Sequence, residues 1–308
     1  MEKGLVSIIM PVFNAKEYIE DAILSVIKQD YSDLEIILID DRSSDGSWEI
    51  AKSFNDDRIR YVANEKNLGV SESRNIGIDK SSGEFIIFLD HDDIMPKGRI
   101  KRHVAYLSDN TDKAAVGGRI FNIDNENNYL SEFDIGECGD PGYIKARLLF
   151  QGVFIGGAVT YRTAVLKDNN IRFWANAYGL EDHILSVEVS KKGDIGVINN
   201  IVLWYRRHDR NAEKDIYKYH LAERVSKMSE ICRFALDADG ISISKEESFL
   251  LINGINERKK RPLSNGELGE ILMVFEKIEK LAREKNVRNA DCISAVLKDY
   301  RIWFCDEC

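Results

Sequence analysis

The sequence predicts an α/β fold: a doubly wound, mostly parallel sheet covered by helices on both faces, with a C-terminal helical appendage. Three observations predict it. Four short strand-like runs at 6–12, 35–40, 59–63 and 84–89 alternate with segments of helical periodicity, the pattern of right-handed βαβ crossovers. Three of them, all but the short run at 59–63, are rich in Ile, Val, Leu and Phe with little polar alternation, as in strands buried on both faces. From about Asp215 onward strand patterns and Gly thin out, while residues such as 268–282 space their apolar side chains as helices do.

The elements follow in order. Residues 6–12 form a buried strand that Pro11 helps to end. Asn14 is placed to cap the next helix, whose Ile19, Ala22, Ile23, Val26 and Ile27 make one apolar stripe. EIILID at 35–40 is the second strand, and Trp48, Ala51 and Phe54 give the following helix its inner face. Residues 59–63 are a short third strand, 73–78 lie in a helix, and EFIIFL at 84–89 is a fourth strand ending at Asp90. Beyond it, strand-like runs are expected at 116–123, 153–161 and 195–205, with helices between them. Glu181 and Asp182 open one of these helices, and Gly193 stops it.

Composition narrows the function. A chain of 308 residues, 44% hydrophobic and 31% charged, suffices for one large α/β unit and a smaller appendage. No apolar stretch approaches the ~20 residues of a membrane span, and the N-terminus lacks a signal-peptide pattern. The expected location is the cytoplasm, with the inner membrane face also open. A formal net charge of -9 argues against a general nucleic-acid binder. Five cysteines at irregular spacing do not make a disulfide framework, and the Cys305/Cys308 pair lacks further zinc ligands nearby.

In doubly wound sheets ligands bind beyond the carboxyl ends of the strands. Here those ends deliver Phe13 and Asn14, Asp40 and Asp41, and the run Asp90, His91, Asp92, Asp93. No glycine-rich phosphate loop follows the first strand. A divalent cation held by one or two of the carboxylates would let this acidic rim accept a diphosphate.

Six segments then resemble family 2 glycosyltransferases of the GT-A fold: SIIMPVFN (7–14), IDDRSSDGS (39–47), NLGVSESRNIG (67–77), GEFIIFLDHDD (83–93), Glu181-Asp182 and YRRH (205–208). The resemblance covers roughly the first two thirds of the chain. It implies a glycosyltransferase domain over 1–212, with a nucleotide-binding half at 1–110, an acceptor-binding half at 111–212 and a helical region at 213–308. It implies Mn²⁺ or Mg²⁺ on Asp92, with His208 as a further ligand. Pro11, Phe13, Asn14, Asp41, Arg74, Asp90, His91 and Arg206 would hold the nucleotide. Asp41 would accept the N3–H of uracil, though an acid opening the next helix by an N-cap or Asx-turn reads the same way. Phe13 stands where many members carry Tyr, which keeps stacking and loses a phenol. Asp182 would be the general base of an inverting transfer. Gly156 and Gly157 fit either a close approach to the sugars or a tight bend.

The resulting expectation is a metal-dependent transfer from a UDP-sugar to a hydroxyl on a glycan, lipid-linked or protein acceptor, in polysaccharide or glycoconjugate synthesis. The rival is a catalytically idle binding module acting on a partner protein through its helical tail. Basic stretches at 97–103 and 258–261 read as solvated faces or as peripheral membrane contacts, and self-association stays open.

Overall fold

The computed structural model describes residues 1–133 and 140–305, and the chain divides into two compact units. Of the described residues the first unit takes 1–133, 154–175 and 188–211, and the second takes 140–153, 176–187 and 212–305.

The first unit is built on an eight-stranded sheet. In chain order it contains β1 (Glu2–Val12), α1 (Ile19–Ile27), β2 (Leu34–Asp40), α2 (Ser47–Lys52), β3 (Ile59–Ala63), α3 (Val70–Lys80), β4 (Gly83–Phe88), α4 (Arg99–Asp109), β5 (Lys113–Ile123) and β6 (Tyr129–Phe133). After α5 (Pro141–Leu148), which belongs to the second unit, come β7 (Thr160–Arg162), α6 (Thr163–Asp168), α7 (Glu181–Ser190) and β8 (Asp194–Arg206). Strand order is β3-β2-β1-β4-β7-β5-β6, with β8 on the other side of β5. The pairs among β1 to β4 are parallel, as is β5 with β8; β7 and β6 run antiparallel to their neighbours.

The reason for these strands is burial on both faces. Residues 6–12 and every residue of β2 are buried, and their side chains pack against Ile19, Ala22, Ile23 and Val26 of α1. On the opposite face α3 lies close to the sheet because Gly77 has no side chain. A Cβ there would stand 2.3 Å from Ile9 Cγ2 and 3.1 Å from Ile39 Cδ1.

Two expectations change. The run at 153–161 is not one strand: a short 3₁₀ turn at Gly156–Ala158 interrupts it, and only Thr160–Arg162 joins the sheet. Gly157 sits there against Leu203 and Asp93. Asn14 does not cap α1, whose first turn has no side-chain cap. Its backbone is left-handed, at φ 49°, and its Oδ1 accepts the Ser44 N–H at 2.9 Å instead.

The second unit is helical. It adds α8 (Ala212–Tyr219), α9 (Leu221–Ala238), α10 (Lys245–Arg258), α11 (Asn265–Glu284) and α12 (Ala290–Cys305) to α5 and the first turns of α7. Helices α10 and α11 both begin with full capping boxes, Ser244 with Glu247 and Ser264 with Glu267. No boundary drawn once along the chain captures this grouping, because 140–153 and 176–187 join helices that follow them by many residues. Among the described residues no helix is long and apolar enough to cross a membrane. Cys305 is exposed, and Cys308 lies outside the described residues.

Candidate active site

The carboxyl ends of β1, β2 and β4 carry the polar residues that the sequence singles out. Their physical settings differ sharply. After β2, Asp40 accepts the Ser43 N–H at 3.0 Å, while Asp41 is buried and heavily used. Its Oδ1 accepts from Leu68 N at 2.8 Å and Asn64 Nδ2 at 2.9 Å, and its Oδ2 accepts from Gly69 N at 2.8 Å. Asp41 thus ties down the loop entering α3 rather than opening α2, whose N-cap is Gly46. Its Oδ2 keeps one acceptor position for a ligand. Phe13 is 44% exposed, unusual for a phenyl ring beside a buried strand, so its face is open to a stacking partner.

After β4 the acidic turn is divided by its partners. Asp90 receives the buried Arg74 guanidinium at 2.6 Å, and Arg74 itself lies over the Phe173 ring at 5.1 Å. His91 donates from Nδ1 to the Pro11 carbonyl at 3.1 Å, binding the turn to the end of β1. Asp92 meets His208 directly, with Oδ2 and Nε2 2.9 Å apart. Burial opposes the charge on Asp92, but the His208 hydrogen bond and the two imidazoles hold its carboxyl below the usual range. Asp93 is fully buried beneath them and accepts the Arg206 N–H at 2.9 Å. Burial and then the charges of Asp92 and Asp90 push its carboxyl well above the ordinary carboxylate range.

Arg206 is placed differently from the expectation that it would reach a bound nucleotide. Only 1% exposed, it donates to the main-chain carbonyls of Asp92 at 2.8 Å, Asp124 at 3.0 Å and Asn125 at 3.1 Å. Its position at the buried end of β8 makes it a support for the acidic turn. The next residues bring His208 up to Asp92, with Asn211 accepting the His208 N–H at 2.7 Å.

Tyr18 is a neighbour that the sequence reading missed. Its ring stacks on His208 at 4.9 Å and lies under Arg206 at 5.0 Å, and its hydroxyl donates to Asn125 Oδ1 at 3.1 Å. Asn64 and Asn211 were missed likewise. Nothing local marks them, because each matters through a partner remote in sequence.

The donor set suits a hard divalent ion. Among the described residues no three His, Cys, Asp or Glu side chains converge, which excludes an all-protein cage there. Mg²⁺ or Mn²⁺ at a nucleotide site needs only one or two protein ligands, since diphosphate oxygens and waters complete the shell. Neighbouring vertices of an octahedron with bonds of about 2.1 Å are about 3 Å apart, close to the 2.9 Å between Asp92 Oδ2 and His208 Nε2. The tautomer sets a condition. His208 Nδ1 accepts the Arg210 N–H at 3.2 Å, so Nε2 carries the ring proton. Ligation by Nε2 requires that proton to move to Nδ1 and the Arg210 N–H to turn away.

Comparison with known proteins decides the family. The profile described as "Glycosyl transferase family 2" matches residues 7–168, more than half of the chain. The chain belongs to glycosyl transferase family 2. It is therefore a glycosyltransferase. It is 29% identical over 294 residues to an uncharacterized glycosyltransferase of Haemophilus influenzae, covering 89% of this chain and 87% of that protein. It is 38% identical over 184 residues to the GalNAc(5)-diNAcBac-PP-undecaprenol beta-1,3-glucosyltransferase of Campylobacter jejuni, covering 57% and 56%. It is 36% identical over 133 residues to the UDP-Glc:alpha-D-GlcNAc-diphosphoundecaprenol beta-1,3-glucosyltransferase WfgD of Escherichia coli, covering 43% and 52%. The chain thus spans only about half the length of the latter two. Among solved structures, S. aureus TarS 1-349 in complex with UDP-GlcNAc superposes with a TM-score of 0.64 at 18% identity, over 96% of this chain and 91% of that one. This likeness shows the fold, GT-A.

Asp182, expected as the base, lies in the first turn of α7, in the second unit. His183 beside it is buried, and its Nε2 donates to the Leu148 carbonyl at 2.7 Å, fixing the start of α7 to the end of α5. Ser186 Oγ donates back to the Asp182 carbonyl at 2.8 Å.

Proposed function

We propose that this glycosyltransferase transfers a sugar from a UDP-sugar to a hydroxyl group of a glycan acceptor, with a divalent cation at Asp92 and with inversion at the anomeric carbon. The observation that carries the reading is the Asp92–His208 pair, 2.9 Å apart, set at a strand end between the Arg74–Asp90 ion pair and the Tyr18 ring. A carboxylate oxygen and an imidazole nitrogen this close together are both ligands that Mn²⁺ accepts. When bound, that cation would neutralise charge on the departing nucleoside diphosphate.

The protein's own groups have separate tasks in this reading. Phe13 offers its open face to the base, and the remaining Oδ2 lone pair of Asp41 selects uracil by accepting N3–H. Arg74 holds Asp90 in one orientation for the ribose. Arg206 fixes the main chain of Asp92 from below, so that the ligand does not reorganise as charge develops. Asp182 removes the acceptor proton. An acceptor linked to a lipid diphosphate accords with the names of the Escherichia coli and Campylobacter jejuni relatives.

The test is a panel of nucleotide-sugars with and without Mn²⁺, scored by thermal shift and by release of nucleoside diphosphate. UDP-sugars should stabilise the protein more than GDP-sugars, only with metal, and Asp41→Ala should erase the difference. A mannosyltransferase of Pyrobaculum calidifontis in complex with GDP-Man and Mn2+ shares the fold, with a TM-score of 0.53 at 15% identity over 96% of this chain and 75% of that one. Equal stabilisation by UDP and GDP would therefore refute the uracil assignment while leaving the fold untouched.

A further inference from the structure

Phe173 belongs to no helix or strand, yet only 3% of it is exposed. It lies in the first unit, shortly after α6. Buried main-chain groups need hydrogen-bond partners, which a neighbouring strand would ordinarily supply. Here one side chain of α3 supplies both. Asn75 Nδ2 donates to the Phe173 carbonyl at 3.0 Å, and Asn75 Oδ1 accepts the Phe173 N–H at 2.9 Å. One turn further along α3, Asp79 accepts from Arg172 Nη2 at 2.9 Å. The main chain around Phe173 is therefore fixed to α3, and that fixation places the ring.

The ring has two contacts that bear on the site. Phe88, the last residue of β4, packs against it in a T-shaped pair, with centroids 4.8 Å apart and planes at 88°. Arg74, the residue before Asn75 on α3, lies over it at 5.1 Å and pairs with Asp90 at 2.6 Å. Asp90 follows the end of β4 by two residues. One ring thus touches both the strand that leads to the acidic turn and the arginine that holds that turn's first carboxylate. Arg74 is only 4% exposed, and a buried guanidinium is costly unless its charge is met. The Asp90 carboxylate meets it at one edge, and the electron-rich face of Phe173 meets its plane. An aliphatic side chain would fill the same space without attracting the charge, and the long arginine would regain rotamers.

We propose that Phe173 is a positioning residue for the nucleotide: its ring holds the Arg74 guanidinium where it keeps Asp90 turned toward the ribose hydroxyls, and Asn75 holds the ring. The inference rests on the reading of Asp90 as the ribose-binding carboxylate. Residues 74 and 75 grip Phe173 from two directions, one at its ring and one at its main chain. A shift of this segment would therefore move the ion pair that faces the ribose. A carboxylate receives both hydroxyls of a ribose only when its oxygens are held in one orientation, and hydrogen bonds to a charged group are strong enough to be read in affinity.

The experiment uses the full chain with Mn²⁺ and measures by calorimetry the affinity for UDP and for dideoxyuridine diphosphate, which lacks both ribose hydroxyls. Wild type should prefer UDP by at least about tenfold. Phe173→Leu keeps apolar bulk and removes the aromatic face. It should lose most of that preference while binding the dideoxy nucleotide as wild type does. Arg74→Gln should lose the preference as well, and the double variant should be no worse than Arg74→Gln alone, because Phe173 acts through Arg74. Asn75→Ala removes no apolar contact and suits a helix, so it carries the same test if Phe173→Leu does not fold, with a smaller loss of the same kind. A preference that survives Phe173→Leu, or survives Asn75→Ala where the first variant does not fold, would overturn the proposal. So would an equal loss for both nucleotides, or losses that add to that of Arg74→Gln. A wild type that binds the two nucleotides equally would instead bring down the ribose reading of Asp90, and the proposal with it.

Discussion

Acidification should weaken the unit that carries Asp182 through one group, His183. Its imidazole is buried, its Nε2 donates to the Leu148 carbonyl at 2.7 Å, and its Nδ1 has no partner. Burial, against the opposing Leu148 hydrogen bond and helped by the Arg224 charge, lowers its pKa to about 4. In the unfolded chain an imidazole titrates near ~6.5. Because the folded value is the lower one, the unfolded chain takes up the proton first. The contribution of neutral His183 is therefore complete above about pH 6.5, is lost as pH falls toward 4, and changes no further below that. At about 1.4 kcal/mol per pH unit the loss is about 3 kcal/mol. The perturbation is His183→Gln, whose side-chain amide can donate from a similar position without titrating. Urea unfolding by circular dichroism at pH 7, 6, 5 and 4 gives the stability of each protein. Carboxylates and the other buried imidazole, His103, titrate in both and cancel in the difference. The variant should be the weaker at pH 7 through lost packing, and the gap should close by about 3 kcal/mol by pH 4. A gap independent of pH would refute the reasoning.

Replacing Asp92 by Asn should abolish metal-dependent nucleotide binding without unfolding the chain, since the change is isosteric; unchanged Mn²⁺-dependent UDP affinity by calorimetry would remove Asp92 from the metal site. Asp182→Asn should retain UDP and Mn²⁺ binding while transfer falls by about two to four orders of magnitude. The wild-type product should show the inverted anomeric configuration by proton NMR coupling, and a retained configuration would exclude single displacement. Gly77→Ala should cost about 1–3 kcal/mol in urea unfolding, because its Cβ would lie 2.3 Å from Ile9 Cγ2. A fully stable variant would show that α3, and with it Arg74, tolerates displacement from the sheet.

Strands β1, β2 and β4 were legible because a strand buried on both faces leaves a continuous apolar run, whereas β3, mostly exposed, was marked only by its β-branched and aromatic residues. The start of β1 was not legible, since residues 2–5 reach solvent and break the run. The run at 153–161 misled for the opposite reason: it is as apolar as a strand, yet Gly156–Ala158 turns within it. Asn14 looked like a helix cap from its residue type alone, and only its φ of 49° and its bond to Ser44 reveal a different task. The division into units was illegible in principle, because it depends on α5 and the start of α7 meeting helices far along the chain.

The same distinction separates the two kinds of site residue. Asp90, His91 and Asp92 sit together at one strand end, and any chain that binds a metal and a diphosphate there must solve the same electrostatic problem with adjacent side chains. Such chemistry leaves a motif. Arg206 lies in the neighbouring motif, but sequence could not say that its side chain turns inward to the carbonyls of Asp92, Asp124 and Asn125 while His208 turns outward to Asp92. Substitutions in the acidic turn should therefore affect transfer to every acceptor alike.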